Sequence, residues 1–82
     1  MNTMTLNILN QTYTRKNIGH CYNREDHKIL VEGIHDEDAI TDFANDYLRK
    51  HPIGQMYYYD GFNHTADGNT EVFVHYLIDS SD

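Results

Sequence analysis

The feature that most constrains this chain is one amphipathic segment near its middle. Ile40, Phe43, Ala44, Tyr47 and Leu48 recur at the i, i+3, i+4, i+7, i+8 spacing that lines one side of an α-helix. Ahead of them, His35-Asp36-Glu37-Asp38 offers N-caps and sets carboxylates against the positive end of the helix dipole, with Asp36 the expected cap. Behind them, Arg49, Lys50 and His51 put cationic or protonatable groups at the negative end, and Pro52 drives His51 out of helical geometry. A single helix is therefore predicted from Asp36 to Lys50, with Ile40, Phe43, Tyr47 and Leu48 buried. An apolar stripe of this kind must be laid on another element, and the flanking segments supply it as strands.

Met56-Tyr57-Tyr58-Tyr59 and the run Glu71 to Ile78 combine β-branched and aromatic residues, as strands do. Along the second run Val72, Val74, Tyr76 and Ile78 share one face and Phe73, His75 and Leu77 the other, so it is apolar on both sides and suits the middle of a sheet. The polar segment Asn63–Asn69, with its Asp67-Gly68 pair, predicts an antiparallel hairpin between the two. Upstream, Met4, Leu6 and Ile8 alternate, and Ile29-Leu30-Val31 is a short apolar run ahead of Gly33. Ile18 to Tyr22 either adds a strand, paired with 27–33 across a polar turn Asn23-Arg24-Glu25-Asp26, or forms a loop. The expected architecture is a single α+β domain over residues 1–82: an antiparallel sheet of four or five strands with one helix packed on one face, in the order ββ(β)αββ. A domain of this length buries only roughly 60% of the surface its unfolded chain exposes. A contact that covers apolar surface would stabilise it, so a homodimer is one expectation.

Most site chemistries are disfavoured. Cys21 is the sole cysteine, so no internal disulfide forms, and the reducing cytoplasm is the expected compartment. The first residues carry no basic stretch followed by an apolar run, and no membrane or targeting segment is expected. His20, Cys21, His27 and His35 invite a metal centre, yet neighbours on a strand point to opposite faces, so His20 and Cys21 do not converge on one ion. The same geometry separates His20 as a base from Cys21 as a nucleophile. The serines are confined to Ser80 and Ser81, and the five glycines are dispersed with none opening a helix. No catalytic residue, cofactor or metal is expected, and the chain is not expected to be an enzyme.

The charge pattern is more informative. The net charge is -7, with four basic and three acidic groups in residues 1–34 against two and ten in residues 35–82. Such a field repels nucleic acid and anionic membrane. On the helix, Asp38, Asp42 and Asp46 recur every four residues opposite the apolar stripe, where like charges cost a few tenths of a kcal/mol per pair. Beside this row stands an aromatic one: Tyr57, Tyr58 and Tyr59 are consecutive, so at least one faces away from the helix-covered side, and tyrosine brings rigid area with a polar tip to interfaces.

Small size, strong acidity, one cysteine, no catalytic set and an aromatic, acidic exterior together resemble phage- or mobile-element-encoded inhibitors of the anti-CRISPR type. That resemblance implies a protein that presents carboxylates to the basic nucleic-acid-binding site of a host complex, where they stand in for phosphates before Lys and Arg. Anti-CRISPR proteins share no common signature, so no residue role carries over from them. The partner-binding residues expected from the pattern itself are Asp38, Asp42, Asp46, Tyr57, Tyr58 and Tyr59. The alternative is a small homodimeric structural or assembly protein that uses a tyrosine-rich sheet face.

Overall fold

Two β-hairpins flank one helix, in the order β1 (Ile8–Gly19), β2 (Tyr22–Val31), α1 (Glu37–Lys50), β3 (Met56–His64) and β4 (Thr70–Asp79). The structure is a computed structural model and describes residues 6–19, 22–51 and 56–79. All strand pairs are antiparallel, and the spatial order is β1-β2-β4-β3. This is an α+β fold of order ββαββ with four strands, and α1 runs over β3 and β4 on one face of the sheet. Among the described residues no helix is long and apolar enough to cross a membrane.

The helix forms where its periodicity places it. The Asp36 side chain accepts a hydrogen bond from the Ala39 amide at 2.9 Å, which satisfies one of the open donors of the first turn. At the other end the His51 amide donates to the Tyr47 carbonyl. Ile40, Ala44, Tyr47 and Leu48 are buried and join Leu6, Ile29, Val31, Val72, Val74 and Tyr76 in the core. Phe43, expected in the core, is only partly buried and packs against its margin. At 100° per residue it lies on the flank of the stripe centred on Ile40 and Ala44, tilted against the Tyr47 ring at 6.2 Å.

β4 takes the central place its two apolar faces predict. Val72, Val74 and Tyr76 lie under α1, while Phe73, His75 and Leu77 are half-buried on the opposite, helix-free face. The turn before it closes through Thr65, whose amide donates to the Asn69 carbonyl at 2.8 Å, with Gly68 at φ +87° supplying a conformation that L residues rarely adopt.

The N-terminal hairpin departs from the sequence expectation. Asn23-Arg24-Glu25-Asp26 is not a turn but part of β2, and the chain reverses between Gly19 and Tyr22. The segment is held as a strand by polar cross-strand partners: Arg15 lies opposite Glu25 and Thr14 opposite Asp26. His20, Cys21 and Met4 lie outside the described residues.

Candidate functional site

Hydrogen bonds fasten two loops that carry acidic residues to each other at one end of the domain. The Gly33 amide donates to Asn69 Oδ1 at 3.1 Å, Thr70 Oγ1 donates to the Gly33 carbonyl at 2.7 Å, and His64 Nε2 donates to the His35 carbonyl at 3.1 Å. The β3–β4 turn, with Asp67, is thus fastened beside the β2–α1 loop and the start of α1.

The ion pairs decide which of those charges are left over. Arg15 pairs with Glu25, Arg24 with Asp26, Lys28 with Glu71, and both Arg49 and Lys50 with Asp46. Among the described residues only Lys16 of the six lysines and arginines has no carboxylate partner. Among the described side chains, the carboxylates without a cationic partner are Glu32, Asp36, Glu37, Asp38 and Asp67, at the end just described, and Asp42, one turn further along α1. Three of them already have local work: Asp36 caps α1, Glu32 accepts a 2.9 Å bond from the Asn7 side-chain amide, and Asp67 accepts a 2.6 Å bond from Thr65 that holds its carboxyl below the usual range.

Asp38 and Asp42 are exposed on the outer side of α1, as the spacing predicts. Asp46 differs from them. Lys50 at 3.0 Å and Arg49 at 3.2 Å hold its carboxyl below the ordinary value, so its charge is largely compensated within the helix. The tyrosines divide between faces. Tyr57 and Tyr59 lie opposite Tyr76 and Val74 on the helix side, and burial raises the Tyr59 hydroxyl pKa. Tyr58 lies opposite His75 on the helix-free face, stacked on that ring at 4.8 Å. The sheet therefore separates Tyr58 from the acidic row on α1.

Two clusters were not legible in the sequence. On the helix-free face, donor atoms of Asp26, Asp60 and His75 come within 4.8 Å of one another, the arrangement among the described residues closest to a metal-ligand set. Asp26 and His75 are cross-strand partners, and a bulge between Tyr59 and Gly61 aims Asp60 at them. His75 Nδ1 donates to Asp60 at 2.7 Å, and the Arg24 guanidinium sits 2.9 Å from Asp26 and 3.9 Å from Asp60. A cation would have to displace that guanidinium, so the geometry is that of an ionic tie across β2, β4 and β3. On the helix side, Glu25 is 3% exposed, accepts two bonds from Arg15 at 2.9 and 2.6 Å, and accepts another from His27 Nε2 at 2.8 Å. Tyr13 stacks on the His27 ring at 5.2 Å, and Tyr76 meets it edge-on at 4.9 Å. His27 and His35 do not converge: His27 is held by Glu25, and His35 donates to the Glu32 carbonyl. Only the strand register reveals either cluster.

Compared with protein-family models, curated proteins and solved structures, the chain matches none.

Proposed function

We propose that this chain is a protein-binding inhibitor of the phage- or mobile-element-encoded kind, which sets an acidic end against the basic nucleic-acid-binding site of a host complex such as a CRISPR–Cas effector. One observation carries this: among the described side chains, carboxylates lacking a cationic partner cluster around the start of α1 and the loops beside it, while five of the six Lys and Arg residues are consumed by ion pairs with other carboxylates. A surface evolved only for solubility has no need to sort its charges in this way, whereas sorted charge steers association and selects a partner of opposite sign. Asp38 and Asp42 are the exposed members of the helix row, and Glu37 and Asp67 extend it. Asp46 contributes less, because Arg49 and Lys50 already compensate it. The division of Tyr57, Tyr58 and Tyr59 between two faces favours this acidic end over a self-contact built on all three tyrosines.

The test is binding to a panel of CRISPR–Cas effector complexes, with and without their target DNA, at low and high salt. Asp38→Lys combined with Asp42→Lys is compared with the parent chain. Of the pair, only Asp38 lies in the first turn of α1, where reversing its charge costs roughly 0.3–1 kcal/mol, which leaves the circular dichroism nearly unchanged. Expected are binding that competes with DNA, and a sharp loss in the double variant carried mainly by the on-rate. Failure to bind any effector, or equal binding by the double variant, removes the proposal.

A further inference from the structure

The two edges of the sheet are not equivalent. β3 is interrupted near its middle by the bulge between Tyr59 and Gly61, where Gly61 adopts φ +124° and Asp60 projects a charge. Bulges and charges of this kind are how edge strands avoid pairing with other chains. β1 has no bulge at its centre, and its two charges, Arg15 and Lys16, stand side by side toward its C-terminal end, with Arg15 already paired to Glu25. Its register with β2 is unbroken from Asn10 to Asn17, its irregularities are confined to the ends, and it holds no proline and no carboxylate. All of its residues are exposed, including Leu9, Ile18 and Tyr13, the last at 62%. α1 lies over β3 and β4, and its Tyr47 hydroxyl donates to Gln11 of β1.

Charge selects the occupant. Two copies of a chain carrying -7 repel each other over most approaches, but residues 1–24 contain no acidic group, so β1 is the side on which like chains meet without opposed carboxylates. We propose that β1 pairs antiparallel with β1 of a second copy about a two-fold axis through Tyr13, joining the two sheets into one of eight strands. An axis perpendicular to the sheet makes residues of equal parity face each other, so Tyr13 faces its own counterpart, Arg15 faces Gln11 of the second copy and Lys16 faces Asn10 of the second copy. No cation opposes a cation in this register. The paired Tyr13 rings would close over the His27–Glu25 pair that each now covers alone. This goes beyond the acidic-end proposal and does not depend on it: the dimer leaves both acidic ends free.

Because Tyr13 lies on the axis, a charge placed there meets itself. Sedimentation of the native chain should show twice the 9.6 kDa protomer mass. Tyr13→Lys and Tyr13→Glu should each sediment as monomers with native circular dichroism, and an equimolar mixture of the two should recover the dimer. Amide exchange on the unaltered chain gives a second measurement should either variant fold poorly: alternate amides between Asn10 and Asn17 should exchange more slowly as protein concentration rises. A native chain that stays monomeric at every concentration, a dimer indifferent to both substitutions, or β1 amides whose exchange ignores concentration would each overturn the proposal.

Discussion

At the scale of single residues, the strongest tensions lie where β2 and β4 meet beneath the helix side of the sheet. Tyr76 is fully buried, its hydroxyl has no partner among the described residues, and burial, reinforced by Tyr47, Glu25 and Tyr57, pushes its pKa up to about 12. An unsatisfied buried hydroxyl costs about 1–3 kcal/mol, so Tyr76→Phe is expected to raise the denaturant midpoint, and a lowered midpoint would show that the hydroxyl is bonded. Glu25 is the counterpart case. Burial pushes its carboxyl up, but the bonds from Arg15 and His27 more than offset this and hold it below the usual 4.5. A carboxylate whose folded pKa lies below its unfolded one stabilises the fold above that ordinary value and loses the contribution as pH falls through the folded value. Melting temperature should therefore drop more steeply below about pH 4.5 in the parent than in Glu25→Gln, and parallel acid limbs would show that Glu25 carries none of the acid lability.

At the scale of elements, α1 separates a full core position from a marginal one. Ile40 has no exposed surface, whereas Phe43 is only partly buried against the core. Ile40→Ala should cost about 2–5 kcal/mol, by lost transfer energy and the cavity left behind. Phe43→Ala should cost less than the roughly 3–5 kcal/mol of a fully buried aromatic, because solvent fills part of the vacated space. Chemical unfolding of the two variants reads the difference directly, and an equal or larger loss at Phe43 would move it into the core proper. The N-terminal hairpin obeys a different logic. β1 and β2 hold together through Arg15–Glu25 and neighbouring polar pairs rather than through an apolar alternation, so β1 folds as a strand while exposing both of its faces.

At the scale of the whole molecule, a thin slab measuring 41 × 31 × 18 Å keeps the unpaired carboxylates of its described side chains around the start of α1 and its unbulged edge strand, which holds no carboxylate, on another side. The separation would allow the proposed acidic contact and the proposed self-contact to operate together. A dimer through β1 would carry two acidic ends, and linking two binding ends raises the avidity for any partner that can engage both.

What the sequence determined by itself was whatever depends on neighbours a few residues apart. The Asp36 cap and the stripe from Ile40 to Leu48 define the helix, because helical contacts close within four residues. The two apolar faces of β4 announce its central place, because alternation is a local property of a strand. The acidic row of Asp38 and Asp42 follows from the same periodicity. The tertiary structure alone decided what depends on register. It turned Asn23–Asp26 from a turn into a strand, divided Tyr57 and Tyr59 from Tyr58, brought Asp60 to Asp26 and His75, and neutralised Asp46 while leaving Asp38 and Asp42 unpaired. Register is set by summing weak cross-strand contacts over whole strands, and a shift of one residue exchanges every side chain between faces. That choice is made between segments distant in sequence, where no local pattern records it.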